Sequence, residues 1–234
     1  MASPAWLGIG AQRSGTTWFT DLLTQHPQVG LGTNGKKEQH LLHKVADGVV
    51  EPGEYLELFP ADDVRRGDWT PQYLRHASAP AAAARYVPDA PVLVVLRDPV
   101  ERFRSAMRLA ATRLADTGKS AWPYPVPITV QTWTGCYADQ LAAWASQVGR
   151  ERMVVMVYED VLREPQGAVE RVWGLLGLDP VPLHDVEAAS GSSSRADWDW
   201  PEGLKQTLEV LYQPQLARLA DEWGLDLSSW PSAG

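Results

Sequence analysis

Cys136 is the only cysteine in 234 residues, so an intramolecular disulfide is excluded and a reducing, cytoplasmic setting is expected. The first ten residues show neither the charged start nor the long apolar stretch of a secretion signal. Long apolar runs are missing too. The two that look like core, Val92–Leu96 and Met153–Val157, are far shorter than the roughly 20 residues of a membrane span. Lysine is scarce beside arginine, a bias that GC-rich coding would produce and that carries no functional weight. There is no excess of positive charge either: the net charge of −8 argues against a dedicated nucleic-acid binder, and any anion site must be local.

What is present is an ordinary globular composition, with 44% hydrophobic and 21% charged residues, enough to bury a core. Residues 6–10 read as a short strand, followed by a glycine-flanked turn and a helix carrying Trp18, Leu22 and Leu23 that stops before Pro27. Val92–Leu96 is continuously apolar and β-branched, as a strand buried on both faces should be, and Asp98-Pro99 supplies an N-cap and a first-turn proline to the next helix. Met153–Val157 repeats the strand signal, and a helix is expected over 161–178. Residues 129–148 and 201–223 read as amphipathic helices, and 116–127 and 188–196 as loops able to wall a substrate. Strands alternating with helices imply an α/β fold, a single domain over 1–234 with a central, mostly parallel sheet flanked by helices, of the P-loop nucleotide-kinase-like type.

The turn after the first strand, Gly10-Ala11-Gln12-Arg13-Ser14-Gly15-Thr16-Thr17, has the two-glycine spacing of a P-loop in the strand-to-helix context that makes such a loop an anion cradle. Two parts of a nucleotidase are missing from it. Thr16 stands where the Walker lysine belongs, and no apolar run ends in a lone metal-binding Asp; the strand 92–96 leads into Arg97 instead. An arginine there suits a second anion, and no metal is required.

These residues resemble the sulfotransferases that use 3′-phosphoadenosine-5′-phosphosulfate. Gln12-Arg13-Ser14-Gly15-Thr16-Thr17-Trp18 is similar to that family's 5′-phosphosulfate loop, and Arg97-Asp98-Pro99 with Ser105 to its 3′-phosphate motif. Tyr158-Glu159-Asp160, Glu164-Pro165 and Leu175-Leu176-Gly177-Leu178 match a later family segment, and 216–230 fits its ending. The resemblance implies that Arg13, Ser14, Gly15, Thr16 and Thr17 grip the 5′-phosphosulfate, with Arg13 also acting in transfer, and that Arg97 and Ser105 grip the 3′-phosphate. Trp18 and Tyr158 match adenine-contacting positions; the residues alone fit core aromatics equally well. Arg195 corresponds to a basic loop residue near the 3′-phosphate, although its segment matches the family poorly. Arg102, Arg104, Arg108 and Arg113 are expected to form a solvated or ion-paired face.

Sulfuryl transfer needs a base for the acceptor's proton. Lys36-Lys37-Glu38-Gln39-His40 resembles the Lys-Glu segment of the carbohydrate and bacterial branch, with Leu41-Leu42 in place of an aromatic pair. The resemblance makes Glu38 the base and Lys37 a cation for charge on the transferring group; His40 is the rival base on its ordinary pKa. Gly67-Asp68-Trp69-Thr70-Pro71-Gln72-Tyr73 is similar to a Lys-Ser/Thr-Pro-x-Tyr segment with Trp69 at the lysine position, which favours an acceptor with apolar or aromatic surface. Trp122 and Trp133 are compatible with such a pocket. The implied acceptor is a small molecule, lipid or sugar, and the oligomeric state is not set by the sequence. Two alternatives stand: a P-loop small-molecule kinase, and a catalytically silent nucleotide-binding module of the same fold.

Overall fold

The computed structural model describes residues 3–118, 128–187 and 196–233. Five strands, β1 (Trp6–Gly10), β2 (Val29–Leu31), β3 (Arg65–Trp69), β4 (Val92–Leu96) and β5 (Met153–Val157), form one sheet in the order β2-β3-β1-β4-β5. Every pairing is parallel, with β4 and β5 in unbroken register from Val92 opposite Met153 to Leu96 opposite Val157. The α/β fold with a parallel sheet is therefore as expected from the three apolar strands.

Period-two alternation sorts the side chains of this sheet into two cores. Val92, Val94 and Leu96 of β4 join Leu7 and Ile9 on one face, while Leu93 and Val95 join Trp6 and Trp69 on the other. The first face is covered by α4 (Ala79–Tyr86), α5 (Pro99–Thr117), α7 (Tyr137–Val148) and α10 (Leu204–Trp223); the second by α1 (Thr16–Leu23), α8 (Tyr158–Arg163) and α9 (Pro165–Leu175). Short helices α2 (Leu42–Ala46), α3 (Pro52–Leu56) and α6 (Ile128–Thr134) complete the set among the described residues. None of the described helices is long and apolar enough to cross a membrane.

Several boundaries differ from those read in the sequence. The helix expected over 161–178 is two, broken at Glu164, because Pro165 disfavours a helical residue before it and opens α9 at its own first turn. The helix expected over 129–148 likewise divides at Gly135 and Cys136. α5 runs on to Thr117, so the loop expected from 116 starts later; most of it, with Trp122, and nearly all of 188–196, with Arg195, lie outside the described residues.

Trp69 departs from expectation more sharply. It is fully buried, edge-on to Phe19 with ring centroids 5.5 Å apart and tilted against Trp6 at 6.3 Å. Room for it comes from Gly8 of β1, where an added Cβ would lie 2.2 Å from the Trp69 ring. Trp69 is thus core, not acceptor wall, because β3 turns this position into the sheet's second face. Burying an aromatic of this size contributes about 4 kcal/mol as an upper estimate.

Candidate active site

Strands β1, β4 and β5 end side by side, and the turns that follow them carry the expected donor-binding residues. Between β1 and β4 the order of strands reverses direction, the place where an open α/β sheet leaves a crevice beyond its carboxyl ends. In the first turn Arg13 and Gly15 both adopt left-handed backbone, at φ 71° and 72°, and α1 begins with no side-chain cap on its N-terminal amides. Those amides with the helix dipole behind them suit an anion. The left-handed conformation explains Gly15, and a second constraint reinforces it: a Cβ there would come within 2.1 Å of the Tyr158 ring at the start of α8.

The two anion motifs, far apart in sequence, touch. Arg13 Nε donates to Ser105 Oγ on α5 at 3.1 Å. Burial, then the neighbouring Arg97, Arg113 and Arg102, push the Arg13 pKa down, so a chain of net charge −8 has gathered mutually repelling cations at this point. Arg97 follows β4 with its guanidinium 5.5 Å from the centroid of the Tyr158 ring, and its carbonyl accepts from the Tyr137 hydroxyl at 3.0 Å. The expected cap is in place: Asp98 Oδ1 accepts from the amides of Val100 and Glu101 at 2.8 and 3.1 Å, and Pro99 opens α5.

The chain's ending braces the same turns. Ser232 N donates to Asp98 Oδ2 at 2.9 Å, and Trp230 Nε1 to Glu159 Oε2 at 2.7 Å, one residue beyond Arg97 and Tyr158 respectively. Ser14, within the loop, is fully buried. Trp18 and Tyr158 are half-buried and pack against the second core, which leaves each a partly open ring near the loop.

Opposite the loop lies the segment with the expected base. Lys37 Nζ donates to Thr16 Oγ1 and Thr17 Oγ1, both at 3.2 Å, and to Glu38 Oε1 at 3.4 Å. A second cation beside Arg13 thus reaches the loop from 21 residues away, at the threonine that stands in the Walker lysine position. Burial lowers the Lys37 pKa, and the carboxylates of Glu38, Asp21 and Asp68 oppose that shift. Glu38 Oε2 stands 3.2 Å from His40 Nε2, so both base candidates share one spot, each a little over a third exposed.

The arginines of α5 divide. Arg104 and Arg113 are exposed, and Arg108 pairs with Asp197 at 3.9 Å, as expected. Arg102 is instead fully buried, donating to the side chain and carbonyl of Gln131, because α5 turns that position towards α6. Trp133 is 45% exposed. The described residues contain no group of His, Cys, Asp and Glu able to hold a metal ion. Sequence reasoning gave no role to the buried carboxylate of Asp68, which hydrogen-bonds beneath the base segment; a lone Asp in a strand-end motif gives no signal of what packs on it.

A family model described as the sulfotransferase family matches residues 52–182. The chain belongs to the sulfotransferase family. That match contains Arg97, Ser105 and Tyr158 but neither the loop at 10–17 nor Glu38. The chain is 28% identical over 242 residues to heparan sulfate glucosamine 3-O-sulfotransferase 6 of Mus musculus, covering 90% of this sulfotransferase and 69% of that protein. It is 24% identical to bifunctional heparan sulfate N-deacetylase/N-sulfotransferase 4 of the same species, covering 76% of this chain but only 22% of the relative. A sulfotransferase from Alicyclobacillus acidocaldarius shares the fold with a TM-score of 0.77 at 23% identity, over 98% of this chain and 99% of that one.

Proposed function

We propose that this sulfotransferase moves a sulfuryl group from 3′-phosphoadenosine-5′-phosphosulfate to a hydroxyl or amine acceptor, with Glu38 as general base. The observation that carries the reading is Lys37: its ammonium occupies the hydroxyls of Thr16 and Thr17 while touching Glu38, so one residue ties the anion loop to the base. In a kinase the Thr17 position would hold magnesium; here its hydroxyl faces an ammonium. The gathered charge of Arg13, Arg97, Arg102 and Arg113 fits a polyanionic donor.

Arg13 and the amides of 14–17 would hold the 5′ end of the donor, Arg97 and Ser105 its 3′-phosphate, and Tyr158 and Trp18 offer ring faces to the adenine. Arg195 is assigned to the 3′-phosphate by resemblance alone. When bound, the donor supplies a sulfuryl group activated by its phosphate leaving group. Glu38 takes the proton of the acceptor's O–H or N–H as that atom bonds to sulfur, and Arg13 and Lys37 face the negative charge that develops on the leaving side. No metal has a part in this scheme. The named relatives act on heparan sulfate and its glucosamine, which puts sugars first among the small-molecule, lipid and sugar acceptors to be screened. A cytoplasmic setting fits the single cysteine.

Calorimetric titration with 3′-phosphoadenosine-5′-phosphate beside ATP with Mg²⁺ tests the donor site. Binding of the bisphosphate that Arg97→Ala removes is expected; preference for ATP would overturn the reading.

A further inference from the structure

The base segment between β2 and α2 has no helix or strand of its own. Residues 36–41 are irregular, His40 adopts left-handed backbone at φ 54°, and a sheet-side tie is the bond from Trp69 N to the Lys37 carbonyl at 3.2 Å. The amides that follow Glu38 nevertheless all have partners. Gln39 N donates to Asp68 Oδ1 at 3.3 Å, and His40 N to Thr70 Oγ1 at 3.3 Å. Leu41 N and Leu42 N both donate to the Tyr73 hydroxyl, at 3.2 and 3.1 Å.

Those hydroxyls converge on one carboxylate. Thr70 Oγ1 donates to Asp68 Oδ1 and Tyr73 Oη to Asp68 Oδ2, each at 2.8 Å, and Tyr55 Oη adds a third hydroxyl at 3.3 Å. A hydroxyl has one proton to give. Because Thr70 and Tyr73 give theirs to Asp68, their lone pairs are left facing the amides of the base segment. Asp68 is fully buried and accepts at four points, which suits an ionised carboxylate, the acceptor-only form of the side chain.

We infer that Asp68 is a positioning residue for the base: its carboxylate holds, directly or through one hydroxyl, the four successive amides after Glu38, and so sets where Glu38 and Lys37 stand against the loop. The inference rests on the assignment of Glu38 as base, and it adds what aims it. Nothing in it requires Asp68 to touch donor or acceptor.

Asp68→Asn tests this, since the amide keeps the volume and presents N–H groups to hydroxyls already committed as donors. Two measurements separate the anchor from the chemistry: hydrogen exchange followed by mass spectrometry, and release of sulfate from 3′-phosphoadenosine-5′-phosphosulfate with water as acceptor. Exchange over 38–42 should quicken about tenfold or more while residues 10–20 stay protected. Sulfate release should fall about 30-fold, with the affinity for 3′-phosphoadenosine-5′-phosphate kept within about threefold. In a Glu38→Gln background the added Asp68→Asn should change the residual rate by less than about twofold, because Asp68 acts through Glu38.

Unchanged exchange over 38–42, or an equal loss of rate in the Glu38→Gln background, would overturn the inference. Should Asp68→Asn fail to fold, Tyr73→Phe carries the same test: it keeps the carboxylate and the ring and frees Leu41 and Leu42, whose exchange must then rise. A wild-type protein that neither binds the bisphosphate nor releases sulfate sinks the donor reading, and the exchange measurement still decides the anchor.

Discussion

The two halves of the site are built differently. Arg13, Arg97 and Tyr158 lie at most three residues beyond a buried strand, so the register of β1, β4 and β5 brings them together. Glu38 belongs to an irregular segment seven residues past the short edge strand β2, docked by side-chain hydrogen bonds onto the end of β3. A sheet fixes positions through many cooperative backbone bonds, whereas a polar anchor depends on each partner. Donor affinity and chemical rate should therefore separate under mutation.

The largest effect is expected from Glu38→Gln. Loss of the base should lower sulfate release by about a thousandfold, within the range general-base catalysis spans, while the bisphosphate binds within about twofold of wild type. Measured side by side, an unchanged rate would move the base to His40 or to the acceptor itself.

Donor-side changes should show the reverse pattern. Arg97→Ala removes a charged donor fork, and titration should find binding about 30-fold weaker, with Arg97→Lys recovering only part because an ammonium lacks the planar geometry. If Arg97→Ala instead lowered turnover at saturating donor and left affinity alone, the division between the halves would fail. Gly15→Ala is a smaller step of the same kind. Its Cβ would meet the Tyr158 ring at a backbone φ of 72°, so affinity should drop about tenfold with the base segment's hydrogen exchange unaltered.

The same division governs what the sequence reveals. β1 with its loop, β4 with Arg97 and the Asp98 cap, and β5 are local patterns: an apolar strand, then a turn residue, then a helix start. β3 is not such a pattern, since Arg65 and Arg66 open it and only Gly67, Asp68 and Trp69 are buried. Its place between β2 and β1 is set by Gly8 receiving Trp69 and by Gly67 lying against Trp6, contacts between distant segments. Trp69 was therefore misread as acceptor-facing, and Arg102 as solvated, because the residue each one packs against lies elsewhere in the chain. Lys37 was legible as a cation near the reacting group, but its grip on Thr16 and Thr17 needed the fold.

The smallest predicted effect concerns acid, and it acts on the base side. Burial raises the Asp68 pKa to about 6 from 3.8, even against its four hydrogen bonds, so between those values the native protein holds a proton that the unfolded chain has lost. Its contribution to stability therefore falls as pH rises through that window. His43, on α2 directly after the base segment, is shifted the other way, from 6.5 to about 4, by burial and then by the neighbouring His76, with Asp47 opposing and His40 and Lys44 reinforcing. There the unfolded chain holds the extra proton, and stability rises with pH between about 4 and 6.5. The two windows overlap, and because His43 is partly solvated the net slope in the wild type should be under about 1 kcal/mol per pH unit. Asp68→Asn, which also removes the carboxylate facing Tyr55, Tyr73 and Lys37, leaves His43 unopposed. Urea unfolding from about pH 4.5 to 6.5 should then show stability climbing with pH in the variant relative to wild type. Parallel curves would mean that Asp68 titrates as an ordinary carboxylate, and that acid reaches the base segment through its histidines alone.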